Sequence, residues 1–169
     1  MAIMVRWLEE EEWPILRSLR LHALADAPAA FGGPGIDAER AEPEAAWRAR
    51  FENADWLVAT DSPDGADAHE VGLLSLVPRR GDEASTGWIY AWWIDPSARR
   101  RGATTAMLTA VDERSRQRGW TSVGLGTFPD NEKARRAFHR LGFIAGPQQR
   151  GTLPPYPDFI PMARPVSRD

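Results

Sequence analysis

Short apolar runs, some of them alternating with polar residues, indicate β-strands along much of the chain. A strand with one buried and one solvated face repeats its pattern every second residue, whereas a strand buried on both faces is apolar throughout. Segments rich in glycine, proline and aspartate separate the runs, at residues 61–67 and 78–85. The pattern predicts strands at residues 3–7, 56–60, 71–77, 87–94 and 121–127, near Phe143, and at 159–163.

Apolar residues spaced three and four positions apart indicate helices between these strands. Pro14 and Pro43 suit the opening turns of two of them, because the first turn of a helix needs no N–H donor. Asn131 is a suitable N-cap for the last one. The expected helices lie at residues 14–26, from residue 43 to beyond Trp47 and Phe51, at 104–118, and at 131–141.

Strands that alternate with helices predict an α/β fold built on a mixed sheet. The chain has 169 residues, enough for one domain that buries about two-thirds of the surface of its unfolded chain. No repeat, low-complexity tract or proline-rich linker divides the sequence. Residues 1–169 are therefore expected to form a single domain.

The most informative stretch is the turn at residues 94–104, where a predicted strand gives way to a helix. Pro96 prevents further sheet pairing, and Gly102 stands where the helix begins. Backbone N–H groups at a helix start lack acceptors, and the helix dipole adds positive charge there. Three guanidinium groups accompany them, those of Arg99, Arg100 and Arg101. These features predict a pyrophosphate site, and hence a phosphate-bearing cofactor.

The pattern Arg99-x-x-Gly102-x-Thr104 resembles the Q/R-x-x-G-x-G/A loop of the GNAT acyltransferases, which transfer an acetyl group from acetyl-CoA to an amine. About thirty residues further on, the stretch from Asn131 to Phe143 is similar to the family's second signature, N-x-x-A-x-x-x-Y-x-x-x-G-F. Two motifs in this order form a specific signal. The resemblance covers residues 70–143 and implies a GNAT-like fold, a central mixed, mostly antiparallel sheet with splayed central strands, flanked by helices.

The resemblance also implies how acetyl-CoA would be held. The backbone N–H of Trp92 would polarise the thioester carbonyl, that of Ile94 would hold the pantetheine arm, and Asn131 would contact the arm from the neighbouring strand. No metal is implied. The residues expected to bind the cofactor are Trp92, Ile94, Arg99, Arg100, Arg101, Gly102, Ala103, Thr104, Thr105, Asn131, Ala134 and Phe138.

Three positions depart from the family pattern. Thr104 replaces the second small residue of the loop and places a β-branched side chain close to the phosphates. Phe138 stands where many members have a tyrosine proposed to protonate the departing thiolate, and phenylalanine has no proton to give; core packing is its expected role. Trp88 stands where some members have a glutamate base.

Residues 88–94 contain no carboxylate, so the group that takes the proton of the acceptor amine stays open. Tyr90 is the titratable group of this strand, and a neutral phenol is a poor base near pH 7. Ordered water is one alternative, and Asp82 or Glu83 on the preceding loop is another. The candidate catalytic groups are the backbone N–H of Trp92, Glu83 and Tyr90.

Strict alternation would place Trp88, Tyr90 and Trp92 on one face of the central strand. Such rings can stack on a substrate or contact an ammonium group, and they can equally belong to the core. The long loop at residues 31–42 could cover a compact site, which favours a small primary amine over a protein N-terminus as the acceptor. The candidate acceptor-binding residues are Trp88, Tyr90 and Phe31.

Composition limits the cofactors, partners and locations that the chain can have. The chain has no cysteine, so thiol chemistry must come from a cofactor, and its net charge of −3 disfavours nucleic acid as a partner. No apolar run approaches the ~20 residues of a membrane span, which makes a cytoplasmic location the expectation. The three histidines lack metal-ligand spacing. The sequence does not decide between a monomer and a homodimer.

Three classes of function are compatible with the sequence. An N-acetyltransferase that works by direct attack of the amine in a ternary complex fits best. A GNAT-like module that binds acyl-CoA with little or no turnover is the alternative, since the tyrosine and the strand carboxylate are missing. A protein that binds nucleic acid or an acidic partner through the three arginines is the third. Both the net charge and the absence of a known nucleic-acid-binding motif disfavour it.

Overall fold

A seven-stranded sheet organises the part of the chain that the computed structural model describes, residues 2–31, 33–62, 68–79, 85–151 and 157–167. Its strands are β1 (Ala2–Trp7), β2 (Asp55–Ser62), β3 (His69–Pro78), β4 (Thr86–Ile94), β5 (Ser122–Thr127), β6 (Ile144–Ala145) and β7 (Ile160–Pro165). Their spatial order is β1-β2-β3-β4-β5-β7-β6. The central pair β4 and β5 runs parallel, and the other neighbouring pairs run antiparallel.

Within the same residues, five α-helices flank the sheet. They are α1 (Trp13–Asp26), α2 (Ile36–Arg40), α3 (Glu44–Ala49), α4 (Ala103–Gln117) and α5 (Glu132–Arg140). Because α4 carries the chain back across the sheet, β5 can run parallel to β4. The predicted mixed, mostly antiparallel sheet with flanking helices is confirmed. None of the described helices is long and apolar enough to cross a membrane.

Each face of the sheet has its own helical layer. On one face α4 buries Met107 and Val111, and on the other α1 buries Leu16. The alternation of strand side chains connects β4 to both layers, since Trp93 packs towards α1 and the next residue, Ile94, packs towards α4. The last part of β4 therefore lies at the centre of the molecule.

β4 and β5 separate towards their carboxyl ends. Residues 86–89 of β4 pair with residues 122–125 of β5, and no pairing between these strands continues beyond that point in the described chain. β4 itself extends to Ile94. The edge of β4 that faces β5 is consequently open from Tyr90 onward, as expected for splayed central strands.

The segment after α1 departs from the sequence prediction in two respects. The helix α2 forms inside residues 31–42, which were expected to be an irregular loop, because the buried Glu39 anchors it to its neighbours. The next helix, α3, ends at Ala49, so Phe51 lies in the following turn instead of sharing a helix face with Trp47. Both features depend on tertiary contacts that local periodicity does not contain.

Candidate active site

A β-bulge interrupts β4 close to its end. The register with β3 shifts between Tyr90 and Trp93, so that Ala91 and Trp92 together oppose the single residue Leu74. Ala91 has a φ of 52°, which is uncommon for a residue with a side chain. A bulge takes backbone groups out of the ladder, and here the adjoining edge of the strand is open as well. The backbone N–H groups of the bulge therefore lie beside the opening between β4 and β5.

The bulge also reverses the orientation of Trp92. The prediction that Trp88, Tyr90 and Trp92 share one face is wrong for Trp92. Trp88 and Tyr90 remain neighbours, with ring centroids 6.3 Å apart, whereas Trp92 packs on the α4 side, 5.5 Å from the ring of Phe138. One inserted residue moves every later side chain of a strand to the opposite face, which explains the difference.

The start of α4 presents unpaired backbone amides. Arg100 and Gly102 have φ values of 61° and 90°, and no side chain caps the helix. The N–H groups of residues 101–105 have no acceptor among the residues that the structure describes. A Cβ built on Gly102 would meet no atom within 4 Å, so the space before the turn is open. Amides in this arrangement, at the positive end of a helix dipole, suit an anion.

Two of the three arginines in the turn have carboxylate partners within the fold. Arg99 donates to the Ile94 carbonyl at 3.0 Å and to Asp26 at 2.9 Å. Arg101 pairs with the buried Asp61 at 2.7 Å. Arg100 is exposed and has no ion pair within the described chain. Arg99 and Arg101 thus anchor the turn, and Arg100 is the arginine left to face a ligand.

Asp95 shapes the turn between β4 and α4. Its carboxylate accepts hydrogen bonds from the hydroxyl of Ser97 and, at 2.8 Å, from the backbone N–H of the same residue. The hydroxyl contact in particular lowers the pKa of Asp95 below its usual value, and the nearby charge of Arg99 acts in the same direction. The carboxylate is therefore ionised at neutral pH, and its two hydrogen bonds to Ser97 fix the backbone of the turn that leads to α4.

The helix α5 borders the other side of the opening. Asn131 caps it by accepting a hydrogen bond from the Ala134 N–H at 3.1 Å, as predicted. Phe138 packs between Trp92 and Phe143, at centroid distances of 5.5 and 5.9 Å, which confirms its role in packing. Contacts of Asn131, Ala134 and Phe138 with a cofactor stay predictions.

The α1 side of β4 forms the candidate acceptor face. Tyr90 is 56% exposed there. Trp88 is buried: the guanidinium of Arg79 lies 4.7 Å from its ring centroid, and a Cβ on Gly124 would lie 2.7 Å from a ring carbon. Of the two aromatic candidates on this strand face, Tyr90 is therefore the accessible one.

A buried ion-pair network fixes the helices beside this face. Glu39 is 2% exposed and accepts hydrogen bonds from Arg20 at 2.8 and 3.0 Å and from Arg50 at 3.2 Å. Burial raises the pKa of Glu39, but the bonds and charges of the two arginines outweigh that effect and lower it below the usual value. Arg20 also lies 5.1 Å from the ring centroid of Phe31. The network thus positions the third acceptor candidate.

The candidate base Glu83 and its neighbour Asp82 lie outside the described residues. On β4 itself, Tyr90 is the titratable side chain. The described residues contain no cluster of three or more histidine, aspartate or glutamate side chains able to hold a metal ion.

A known family of sequences matches most of the chain. The sequence model of the Acetyltransferase (GNAT) family matches residues 7–143. The chain belongs to the GNAT family. The resemblance predicted from the two motifs is confirmed, and with it the expectation of an acetyl-CoA-dependent acyltransferase. No curated protein sequence matches the chain.

Solved structures share the fold of this GNAT protein. YncA of Salmonella typhimurium, named as an acetyltransferase and solved with its cofactor acetyl-CoA, is 19% identical, with a TM-score of 0.66 over 100% of this chain and 96% of its own. The ribosomal-protein-S5-alanine acetyltransferase of Vibrio fischeri is 14% identical, with a TM-score of 0.72 over 99% and 95%. A protein named as a phosphinothricin N-acetyltransferase is 17% identical, with a TM-score of 0.69 over 99% and 100%.

The GNAT site of this chain fits acetyl-CoA in two respects. The unpaired amides of residues 101–105 and the exposed Arg100 suit the charge of a pyrophosphate. The open edge of β4 suits the pantetheine arm, because the amides of that arm can pair with a strand edge as another strand would.

Sequence reasoning missed several residues that shape this GNAT site. Asp26 and Asp61 anchor the arginine turn, yet they precede it by more than thirty residues and no local pattern marks them. Ala91 carries the bulge, and its small side chain within an aromatic run is the one hint of it.

We expect Arg100→Ala and Arg101→Ala to have different effects. Arg100→Ala should weaken CoA binding about fivefold, equivalent to roughly 1 kcal/mol, without changing stability. Arg101→Ala should lower the free energy of unfolding by about 1–3 kcal/mol, because it leaves the buried Asp61 without its partner. Calorimetric titration with CoA and urea denaturation of both variants check this. Equal losses of stability in the two variants would contradict the structural role of Arg101 and the ligand-binding role of Arg100.

Proposed function

We propose that this GNAT enzyme is an N-acetyltransferase that moves the acetyl group of acetyl-CoA directly to a small primary amine bound in the same complex. The observation that carries the proposal is a juxtaposition at one end of the sheet. The bulge at Ala91 and Trp92, the open edge of β4 and the unpaired amides of α4 all lie there. Bound acetyl-CoA would supply the acetyl group and a thiol leaving group.

Backbone groups of the chain would hold the cofactor and assist the transfer. The amides of residues 101–105, with Arg100, would bind the pyrophosphate, and Ile94 and Asn131 would hold the pantetheine arm. The N–H of Trp92 would donate to the thioester carbonyl oxygen. Such a preorganised donor contributes roughly 3 kcal/mol, because it needs no reorganisation as negative charge develops. No protein nucleophile is required, and the chain has no cysteine.

Holding the amine in line with the carbonyl carbon would supply much of the remaining rate enhancement. Positioning alone can lower a barrier by several kcal/mol. The amine must lose a proton, and β4 offers no carboxylate to take it. We therefore propose that water accepts this proton and that activity rises with pH as the amine deprotonates.

Substitutions in the loop before β4 test this view of the base. Asp82→Asn and Glu83→Gln should each lower kcat/KM by less than about tenfold, whereas loss of a positioned general base would cost roughly 10²–10⁴-fold. Steady-state kinetics from about pH 6 to 10, a range that spans the titration of common amines, provide the measurement. A hundredfold loss in either variant, with its pH dependence abolished and CoA affinity intact, would place the base on this loop.

Two features support a compact acceptor. Tyr90 offers an exposed aromatic ring beside the bulge, to which an ammonium group or a flat substrate can bind. The wall that contains Phe31 is fixed by the buried Glu39, so the face is bounded by a rigid segment. Among proteins of the same fold, one is named for a ribosomal-protein acceptor and another for a small one, phosphinothricin. The exposed Tyr90 and the rigid segment beside it favour a small-molecule acceptor for this chain.

Competition between two pools of acceptors tests the proposed substrate class. One pool contains small primary amines, including amino acids and polyamines, and the other contains short peptides with N-terminal alanine. Each pool is incubated with acetyl-CoA and enzyme, and mass spectrometry identifies the amides formed. We expect products in the first pool. Products confined to the peptide pool would contradict a small-molecule acceptor and leave N-acetyl transfer intact.

One observation favours a second candidate function. Phe138 borders the opening with a ring that carries no ionisable group, and the neighbouring strand has no carboxylate. A module that binds acyl-CoA without turnover needs neither. Such a module would bind acetyl-CoA as tightly as an enzyme does but would release no CoA in the presence of amines.

A further inference from the structure

The indole N–H of Trp92 is a buried donor without an acceptor. Its Nε1 atom is inaccessible to water and has no hydrogen-bond partner among the described residues. Two tryptophans on the opposite face of the sheet are satisfied: Trp93 donates to Asp26 at 2.9 Å, and Trp56 donates to the Arg50 carbonyl at 3.2 Å. A buried unpaired N–H is costly, which suggests that Trp92 donates to something that binds.

The surroundings of Trp92 indicate where such a partner would come from. The ring is partly buried on the α4 side of β4, beside Phe138, where the strand no longer pairs with β5. Trp47 also has an unpaired Nε1, but its ring is fully buried and covered by the Arg50 guanidinium at 3.9 Å. Trp92 is therefore the unpaired indole that borders the opening.

We propose that the indole N–H of Trp92 donates a hydrogen bond to the sulfur of CoA and stabilises the thiolate that leaves during transfer. This inference rests on the proposed function, in which the backbone N–H of the same residue meets the thioester oxygen. The sulfur is bonded to the same carbonyl carbon as that oxygen. Because the Nε1 atom is inaccessible to water in the free protein, the proposed bond requires the indole to turn towards the opening as CoA binds.

The chemistry of the step explains why a donor is needed. The amine nitrogen forms a bond to the carbonyl carbon, the carbon–sulfur bond breaks, and its electron pair remains on sulfur. The extra proton of the amine passes to water. Phe138, the neighbouring side chain, can neither protonate the sulfur nor donate to it. The indole keeps its own proton, and its hydrogen bond strengthens as sulfur becomes charged.

The pKa of the CoA thiol bound to the enzyme tests this role directly. The ultraviolet absorbance of the thiolate is followed as the complex of CoA with the full chain is titrated with base. A donor to the thiolate lowers the pKa of the bound thiol. In Trp92→Phe we expect that pKa to rise by about one, a tenfold change in proton affinity, with a similar fall in kcat. The dissociation constant of acetyl-CoA should change less than about threefold, since the neutral thioester sulfur is a weak acceptor.

A matched variant separates this effect from a general loss of packing. Trp120→Phe removes an indole from the same core cluster, at the far end of α4, and should leave the pKa of the bound thiol unchanged. If Trp92→Phe does not fold, replacement of Trp92 by 3-benzothienylalanine keeps the ring shape and removes only the N–H. That protein should show the same rise in pKa.

Two results would overturn the inference. One is a pKa of the bound thiol that does not change when the N–H is removed by either replacement at Trp92. The other is an equal rise in Trp120→Phe. Neither result depends on turnover, so each is distinguishable from failure of the proposed function, which would appear as a wild-type enzyme that binds CoA and acetylates no amine.

Discussion

Replacing Gly102 with valine is expected to weaken CoA binding at least tenfold, equivalent to roughly 1.4 kcal/mol or more. Gly102 has a φ of 90°, a left-handed conformation that a β-branched residue adopts only with strain. Its missing side chain also leaves open the space before the amides of residues 101–105. A valine side chain would enter that space and keep the pyrophosphate away from these donors. Calorimetric titration with CoA measures the change.

Gly119 provides a matched control at the other end of α4. It too has a positive φ, 74°, and a Cβ placed there would meet no atom within 4 Å. Gly119→Val should therefore carry a similar backbone strain, of about 1–2 kcal/mol in stability, and bind CoA as the wild type does. Equal CoA affinity in Gly102→Val and the wild type would show that this turn is not part of the cofactor site.

Replacing Glu39 with alanine is expected to lower the free energy of unfolding by about 3–5 kcal/mol. The substitution removes one carboxylate and leaves two arginines without their shared partner, of which Arg20 is 8% exposed. Uncompensated buried charge explains the size of the effect. In the control, Glu44→Ala breaks an exposed pair with Arg48 and should cost far less, because water and salt screen charges at the surface. Urea denaturation at neutral pH distinguishes the two variants, and equal costs would contradict a structural role for the network.

The pH dependence of this contribution follows from the lowered pKa of Glu39. The carboxylate is more acidic in the folded protein than its ordinary value of 4.5. The unfolded chain therefore takes up the proton first as the pH falls, and the stabilisation is present in full above about pH 4.5. It is lost as the pH falls through the lower pKa of the folded state. The difference in stability between the wild type and Glu39→Gln should shrink in that acidic range.

Features encoded by neighbouring residues could be predicted from the sequence. The helix α4 and its glycine start lie in one continuous stretch, as do Asn131 and the capped helix that it opens. Helix propensity, capping and apolar spacing all act within a few residues, so a short stretch of sequence is enough to recognise them. For the same reason the two family motifs could be recognised, and the splaying of β4 and β5 followed from the resemblance.

Features that depend on distant parts of the chain could not be predicted. The partners of Arg99 and Arg101 are Asp26 and Asp61, and their pairing exists only once the sheet and α1 have assembled. The bulge at Ala91 changes one backbone conformation and thereby moves Trp92 to the other face, and the continuous apolar run at residues 87–94 does not mark this shift. A strand pattern records which residues are apolar, but it does not record where the register shifts.

A single-turnover experiment tests direct transfer most immediately. Enzyme in excess over acetyl-CoA is mixed with an accepted amine, and mass spectrometry follows the amide, the free CoA and the intact protein together. We expect amide and CoA to appear at the same rate in a ratio of one to one, while the protein never gains the mass of an acetyl group. Acetyl-CoA that stays bound and unchanged, or an acetylated protein that forms before the amide, would contradict it.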